Sequence, residues 1–378
     1  MKYDYLIVGA GLFGATFARL AADDGKRCIV IDRRNHLGGN VYCEDIEGIN
    51  VHQYGPHIFH TSNQNVWNFI NKFVNFNQFR LMTVANFNGE LYNLPFNMNT
   101  FYKIWGVKTP KEARRVIADQ CSEISEIRNL EEQSISLVGR DIYEMLIKGY
   151  TEKQWGKLCS ELPSFIIRRI PVRYTFDNNY FSDTYQGIPI GGYNKLIDTL
   201  LKGIKTVLNI DFFEHLYTGW RNIANKLVYT GKIDDYYCNR CGFLEYRSLK
   251  FEHEVLNVPN YQGIAIINYT SRDIPYTRII EHKHFELFGE DVYKSTRTVI
   301  THEYPQVCTR GSEAYYPIND DKNNSILAQY KAMAAKEKNV IFGGRLAEYR
   351  YYNMDEVINS AILAYSSEQE KYSHQHKI

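Results

Sequence analysis

The sequence YDYLIVGAGLFG at residues 3–14 decides the fold, because it joins an apolar run to a glycine-rich turn. A helix-compatible stretch continues to Asp24, so the segment predicts a strand, a turn and a helix in succession. Gly9 permits the tight turn, Gly11 lets the backbone approach a pyrophosphate, and Gly14 lets helix and strand pack closely. The segment therefore predicts a dinucleotide site at a helix N-terminus.

The following residues favour FAD over NAD as the dinucleotide. Residues 27–31 (RCIVI) predict a second strand that ends at Asp32, at about the ~20-residue offset where an acid accepts ribose hydroxyls. A second glycine pair follows in residues 36–40 (HLGGN), a pattern that resembles FAD-dependent amine-oxidase-like proteins. Near the C-terminus, residues 339–342 predict a strand, Gly343-Gly344-Arg345 follow it, and a helix is expected after Asn353-Met354-Asp355 through about Tyr365. This resembles the returning segment that closes the flavin site in such proteins.

Because both ends of the chain are expected to build the FAD domain, the middle must be inserted into it. Helical patterns occupy residues 109–117, 130–137 and 140–147. A hairpin turn is expected at Asn88-Gly89, and strand patterns cover residues 246–256, 263–269, 276–285 and 296–304. We therefore predict an α/β fold, a Rossmann-like FAD-binding domain with an inserted helical bundle and an antiparallel β-sheet domain. The predicted bounds are 1–78, 190–240 and 330–378 for the FAD domain, 97–160 for the helical domain, and 79–96, 161–189 and 241–329 for the sheet domain. The polar tail at residues 366–378 is expected to fray.

Composition excludes several classes of function. Among 378 residues, 44 Lys and Arg balance 43 Asp and Glu, which argues against a nucleic-acid-binding surface. No apolar run approaches the ~18–20 residues of a membrane span. Seven scattered cysteines and the lack of a leader-like start predict a reduced, cytoplasmic protein.

Three arginines stand in otherwise apolar or aromatic segments, namely Arg169, Arg278 and Arg345. Each is accompanied by nearby tyrosines, and a guanidinium binds phosphate oxygens bidentately. Ordinary salt bridges remain the alternative for any one of them. Residues 149–156 (GYTEKQWG) hold two aromatic residues that could stack on a nucleobase, the alternative being a capping turn with buried Trp155.

Two short motifs invite a metal or redox interpretation. His57 and His60 are three residues apart, but no carboxylate or cysteine partner of matching pattern accompanies them, so no metal site is expected and backbone contact with a flavin is preferred. Cys238 and Cys241 form a lone CxxC, and a zinc ribbon needs a second pair. A redox pair is conceivable there but weakly supported.

Taken together, these segments resemble the UDP-galactopyranose mutase family from end to end. Specific matches include GPHIFHT at 55–61, LPFNMNTFYKIW at 94–105, GYTEKQWG at 149–156, DNNYF at 177–181 and PYTRIIEHKHF at 275–285. The resemblance implies a homodimeric isomerase that interconverts UDP-galactopyranose and UDP-galactofuranose through covalent catalysis by reduced FAD. Such an enzyme supplies galactofuranose for cell-surface polysaccharide.

The resemblance also implies roles for individual residues. Arg169 and Arg278 would be the catalytic pair that clamps the UDP pyrophosphate. The substrate-binding residues would be Tyr150, Thr151, Trp155, Tyr180, Asn268, Tyr316 and Tyr351. The cofactor-binding residues would be Gly9, Gly11, Phe13, Gly14, Asp32, Arg33, Gly39, Asn40, His57, Ile58, His60, Arg345, Asn353 and Met354. Asn353 departs from the family, in which we expect Asp at this position.

Two other functions remain open at this stage. An amine-oxidase-like oxidoreductase would share the FAD motifs but would consume dioxygen and yield peroxide. A non-catalytic nucleotide-sugar-binding protein would keep the arginines and tyrosines yet form no product, and Asn353 is the sequence feature in its favour.

Overall fold

The structure, a computed structural model, describes residues 2–121, 124, 126–169, 171–309 and 311–375, without the side chains of residues 168, 169 and 372–375. The strands are β1 (Tyr3–Val8), β2 (Cys28–Ile31), β3 (Cys43–Ile46), β4 (Ile49–His52), β5 (Phe59–Thr61), β6 (Thr83–Phe87), β7 (Glu90–Leu94), β8 (Tyr185–Gly187), β9 (Lys205–Val207), β10 (Ala224–Tyr229), β11 (Tyr246–Leu256), β12 (Ile266–Tyr269), β13 (Arg278–Glu281), β14 (Thr298–Val307), β15 (Tyr316–Pro317) and β16 (Val340–Phe342). The α-helices are α1 (Leu12–Asp23), α2 (Gln64–Ile70), α3 (Met98–Trp105), α4 (Pro110–Gln120), α5 (Leu130–Val138), α6 (Arg140–Ile142), α7 (Gly149–Trp155), α8 (Gly192–Leu200), α9 (Phe212–His215), α10 (Trp220–Ile223), α11 (Ile233–Tyr236), α12 (Asp321–Ala334), α13 (Gly344–Ala347) and α14 (Met354–Gln375).

A parallel sheet with the strand order β16-β10-β1-β2-β9 forms the dinucleotide-binding part. Every neighbouring pair in it is parallel, as βαβ connections require. One face of the sheet is covered by α1 and α14, whose Phe17 and Ile358 share a buried apolar cluster with Tyr5 of β1. The predicted Rossmann-like fold class is therefore confirmed.

A second sheet with the order β15-β11-β14-β13-β12-β6-β7 is mostly antiparallel, as the sequence predicts. Its hairpin between β6 and β7 turns at Asn88 and Gly89, which both take positive φ. The sheet differs from a purely antiparallel one at a single pair in the described strands, since β6 and β12 run parallel. The long segment between β7 and β12 makes this possible, because it carries the chain back to the same end of the sheet.

The helical region that follows β7 in the chain holds its own apolar core, which contains Phe101, Leu130 and Ile142. Three of its helices, α3, α4 and α5, begin at a residue whose side chain accepts hydrogen bonds from the first backbone N–H groups. Thr109 accepts a hydrogen bond from the Glu112 backbone nitrogen (3.3 Å), and the Glu112 carboxylate accepts one from the Thr109 nitrogen (3.0 Å). The residue bounds of the three domains stay a prediction.

The C-terminal helix α14 is longer than the sequence predicts. The sequence predicts an end near Tyr365 and a frayed tail at residues 366–378, but the helix continues to Gln375. Residues 376–378 lie outside the described part of the chain. Tertiary contacts explain the added turns. The Tyr365 hydroxyl donates to the Asp24 carboxylate (2.7 Å), and buried Glu368 pairs with Lys226. At 22 residues this helix is long, yet within the described chain no helix combines the length and the apolar character that crossing a membrane requires.

Candidate active site

The glycine turn after β1 is sterically closed to side chains at two of its positions. Gly9 has a φ of +103°, and a Cβ there would overlap the Thr230 hydroxyl. A Cβ on Gly14 would overlap the Gly9 carbonyl oxygen, so helix and turn touch as the motif predicts. The Ala10 nitrogen donates to Asp32 Oδ2 (2.8 Å), which ties the turn to the end of β2. Asp32 is itself buried.

The second glycine pair lies directly against the first turn. A Cβ on Gly39 would be 3.0 Å from the Gly11 Cα, and the Gly38 nitrogen donates to the Ala10 carbonyl (3.0 Å). Backbone therefore faces backbone across this narrow cradle, which a side chain at either glycine would fill. Asn40 lies beside it, and its side-chain oxygen accepts a hydrogen bond from Arg34 (3.0 Å). These features fit a bound pyrophosphate.

Arg33 lies at the edge of a smaller cleft of about 420 Å³ beside the end of β2. It pairs with Glu313 (2.7 Å), which also pairs with Arg34 (2.9 Å). Asp211 lines the same cleft. This cleft lies beside the end of β2, where the adenosine part of a dinucleotide lies in doubly wound folds.

Three predicted cofactor residues pack in the core around the turn. Phe13 and Ile58 belong to the main buried apolar cluster, and Met354 packs against it. Phe13 leaves no space for a side chain at Gly343, because a Cβ there would overlap its ring. These side chains pack on the core side of the glycine turn and of the C-terminal segment that begins at Gly343.

The two predicted histidines have protein partners. The His57 ring hydrogen-bonds the Gly55 carbonyl (2.7 Å), and burial lowers the pKa of His57 to about 4. The His60 ring pairs with Asp183 (2.7 Å) and stacks on Phe181 with ring centroids 3.7 Å apart.

A cleft of about 540 Å³ brings together most of the predicted substrate-binding residues. Those that line it are Tyr150, Thr151, Trp155, Tyr180, Arg278, Tyr316 and Tyr351. Asn268 does not line the cleft, since its amide donates to Thr83 Oγ1 (2.9 Å) and to the Val84 carbonyl (3.3 Å) within the sheet. Arg169 ends the helical turn Ser164–Arg169, and its side chain lies outside the described part of the chain.

Arg278 is held in the cleft by a buried carboxylate. Its Nε donates to Glu303 Oε1 at 2.8 Å, and the Glu303 side chain is 0% exposed. Burial opposes the charge on Arg278, but Glu303 and the neighbouring tyrosines Tyr150 and Tyr316 hold its pKa well above the ordinary value. Within the described residues the hydrogen bonds of this guanidinium go to Glu303, so its Nη groups are available to an anion in the cleft.

Stacked tyrosines form another wall of the cleft. The Tyr316 and Tyr351 rings lie 5.2 Å apart with an interplanar angle of 17°. The Arg345 guanidinium lies 5.8 Å from each ring centroid and donates to the Tyr352 carbonyl (2.6 Å). Burial raises the pKa of Tyr316, so its hydroxyl is a neutral donor. Asn353 lies just beyond this wall at the start of α14, and its backbone nitrogen donates to Glu356 (2.7 Å).

Sequence reasoning missed several residues of the site. Glu303 was not singled out, although its place opposite Arg278 follows once β13 and β14 are paired in register. Arg350, Lys157 and Glu356 also line the cleft, and no local pattern distinguishes them from exposed charges. Residues 149–155 form the helix α7, which Gly156 caps at its C-terminus in the left-handed conformation. Trp155 is only half-buried and lines the cleft, so the alternative of a buried Trp155 is wrong.

Comparisons with known proteins identify the family. The model of the UDP-galactopyranose mutase family matches residues 145–351, and that of the NAD(P)-binding Rossmann-like domain matches residues 7–73. The chain is 40% identical to the dTDP-fucopyranose mutase of Escherichia coli, over 94% of this chain and 96% of the relative. It is 38% identical to a probable UDP-galactopyranose mutase of Klebsiella pneumoniae, over 94% and 92%.

Solved structures agree on the fold. A crystal structure of reduced UDP-galactopyranose mutase matches with a TM-score of 0.74 at 14% identity, covering 97% of this chain and 93% of the other. Putrescine oxidase bound to putrescine matches with a TM-score of 0.56 at 12% identity, covering 97% and 99%. The mutase resembles the chain more closely than the oxidase does. By its family match and its full-length relatives, this chain belongs to the UDP-galactopyranose mutase family of enzymes.

Proposed function

We propose that this enzyme interconverts UDP-galactopyranose and UDP-galactofuranose with FAD as its cofactor. One observation carries the proposal: the cleft places Arg278, fixed by buried Glu303, among the hydroxyls of Tyr150, Tyr180, Tyr316 and Tyr351. A guanidinium among neutral hydroxyl donors suits a nucleoside diphosphate, since both groups donate to phosphate oxygens. Full-length similarity to two mutases supports the sugar chemistry.

The residues present fit FAD. The backbone at Gly9, Gly11 and Gly39 would face its pyrophosphate, and the Asp32 carboxylate would accept the ribose hydroxyls. Arg33 would lie beside the adenosine, and Arg345 would lie near the flavin. When bound and reduced, FAD supplies a nucleophilic ring nitrogen for covalent catalysis at the anomeric carbon of the sugar.

The protein's own part is to hold the diphosphate while the sugar rearranges. Breaking the anomeric bond leaves negative charge on UDP, and Arg278 would stabilise it in a partly desolvated cleft. By the family resemblance, Arg169 would be the second cation. Tyr150, Trp155 and Thr151 would then hold the nucleoside side, so that UDP stays in place until the ring closes again.

The test is to incubate the purified enzyme with UDP-galactofuranose, with and without dithionite, and to resolve the two nucleotide sugars by chromatography. We expect conversion to the pyranose form only after reduction. Conversion that is equally fast with the oxidised flavin would contradict the proposed cofactor role. An oxygen electrode separates the amine-oxidase-like alternative, which requires dioxygen uptake and peroxide formation.

A second candidate substrate is dTDP-fucose, because the Escherichia coli relative with 40% identity is a dTDP-fucopyranose mutase. The same assay run with both furanose substrates gives the ratio of their kcat/KM values. A ratio that favours the thymidine nucleotide would reassign the substrate while keeping the reaction class. The resemblance further supports a cytoplasmic homodimer that supplies furanose sugars for polysaccharide. Analytical ultracentrifugation of the holoenzyme would test whether the enzyme is a dimer.

A further inference from the structure

Lys153 places its ammonium at a point where four main-chain carbonyls converge. Its Nζ donates to the oxygens of Tyr269 (2.8 Å), Ser271 (2.9 Å), Ile274 (2.9 Å) and Tyr276 (3.0 Å). An ammonium has three N–H groups, so at least one of them is shared between two acceptors. The arrangement resembles a small cation enclosed by oxygens.

The four carbonyls belong to Tyr269, the last residue of β12, and to the loop that connects β12 to β13. The base of this loop is closed by the Tyr269 nitrogen, which donates to the Thr277 carbonyl (2.8 Å). Thr277 in turn donates its nitrogen to the Glu303 carbonyl (2.8 Å). The next residue is Arg278, the first of β13. The loop that Lys153 holds therefore leads directly into the proposed phosphate-binding residue.

Lys153 itself lies on α7, several of whose residues line the cleft. Tyr150, Thr151 and Trp155 are part of the cleft wall, whereas Lys153 is not. The helix and the loop also touch at Gly149, where a Cβ would overlap the Thr270 carbonyl oxygen. The two walls of the cleft, one carrying aromatic residues and one carrying Arg278, are thus joined from behind by Lys153 and by an ion pair between Arg272 of the loop and Glu152 of α7 (3.4 Å).

Charge is needed at this point for a physical reason. Carbonyl oxygens that point at one another repel, and a buried acceptor that loses its donor destabilises the fold. An apolar side chain of the same length would fill the space but would leave these acceptors without their donor. Removing the ammonium is therefore expected to open the loop, and Arg278 would move with it.

We propose that Lys153 is a positioning residue that fixes Arg278 relative to the aromatic wall of the cleft. The proposal rests on the proposed function, because it assumes that Arg278 holds the diphosphate while Tyr150 and Trp155 hold the nucleoside. Both contacts must be made at once, and a displacement of about 1 Å lowers turnover by on the order of 10²-fold.

The experiment removes the ammonium group of Lys153 by mutation and supplies it again as a small amine in solution. Lys153→Ala lacks three carbons and the nitrogen, which n-propylammonium supplies. We expect kcat of the reduced holoenzyme to fall by on the order of 10²-fold in Lys153→Ala. Added n-propylammonium should restore kcat saturably, whereas tetramethylammonium, which has no N–H donor, and sodium chloride at equal ionic strength should not. Lys148→Ala is the matched control, since that lysine pairs with Glu144 near the surface. It should keep wild-type kcat.

Hydrogen exchange gives a readout that does not depend on turnover. Amides of residues 269–278 should exchange faster in Lys153→Ala and should be protected again by n-propylammonium. If exchange in this loop is unchanged, or if Lys153→Met matches the wild-type kcat with its flavin retained, the positioning role is refuted. If the wild-type enzyme converts neither nucleotide sugar, the proposed function fails, while the exchange measurement still decides whether Lys153 holds the loop.

Discussion

Replacing Arg278 by alanine tests the central assignment of the cleft. In the native structure its Nε is occupied by Glu303 at 2.8 Å, so the substitution removes the cleft-facing part of the guanidinium and also leaves Glu303 without its cation. Different measurements detect these two effects. The first should weaken binding of the diphosphate, and the second should lower the free energy of unfolding.

The size of each effect follows from the burial of the pair. A hydrogen bond to a charged group contributes about 1.5–3 kcal/mol, so loss of one phosphate contact predicts a Kd for UDP that is roughly 10-fold to 150-fold higher. Glu303 is 0% exposed, and removing one partner of a buried ion pair typically destabilises a protein by about 3–5 kcal/mol. The double variant Arg278→Ala/Glu303→Gln should recover part of that stability but none of the affinity.

Isothermal titration of the FAD-loaded enzyme with UDP and with uridine separates the possibilities. Arg278→Ala should weaken UDP binding while uridine binding stays within about twofold of wild type, and the flavin should remain bound. Arg115→Ala provides a control, because Arg115 is an exposed residue of α4 that faces Asp119. A Kd for UDP equal to that of wild type, or an equal loss for UDP and uridine, would refute the assignment of Arg278 to the phosphates.

Three further predictions concern the turn, the buried histidines and the tyrosine wall. Gly14→Ala should lose bound flavin, because the added Cβ would overlap the Gly9 carbonyl oxygen. Gly219→Ala is the control and should keep its flavin, because the space around Gly219 is open. The ratio of flavin absorbance to protein absorbance measures both. Burial lowers the pKa of His52 to about 3, so the stabilisation present above pH 6.5 is lost as pH falls, by about 2 kcal/mol at pH 5. Urea unfolding at pH 7 and pH 5 gives the change in the free energy of unfolding between the two pH values. That change should be larger for the wild type than for His52→Phe, and equal changes would contradict the assignment. Tyr316→Phe keeps the ring and loses the hydroxyl, so the Kd for UDP should rise about 2-fold to 12-fold, for a lost hydrogen bond of about 0.5–1.5 kcal/mol; an unchanged Kd would remove the hydroxyl from the binding site.

Local patterns were sufficient to predict the elements that local chemistry determines. The strand β1 follows from its apolar run, and the turns at Gly9 and at Asn88-Gly89 follow because their positive φ angles require glycine or a turn-forming residue. The strand β11 has the predicted bounds for the same kind of reason, since alternating and β-branched residues fix its period. Sequence alone was therefore a reliable guide wherever one segment determines its own conformation.

Contacts between distant segments could not be predicted in this way. The parallel pairing of β6 with β12 depends on the path of the chain between them, and the last turns of α14 depend on a pair between Glu368 and Lys226. Lys153 was read only as part of a glycine-bounded motif, because its partners are backbone oxygens that carry no sequence signature.

The arginine in the cleft has two supports, because its position must be fixed before the reaction begins. A guanidinium that must meet charge developing on a leaving group has to be held before the reaction starts, since reorganisation during the reaction would add to the barrier. Glu303 fixes the Nε side of Arg278 through a side chain of β14, and the loop before Arg278 is held by Lys153 of α7. One support acts on the side chain and the other on the backbone, so neither can replace the other. Substitutions at Glu303 and Lys153 should therefore lower turnover more in combination than either does alone. The affinity for UDP should fall to the extent that Arg278 is displaced.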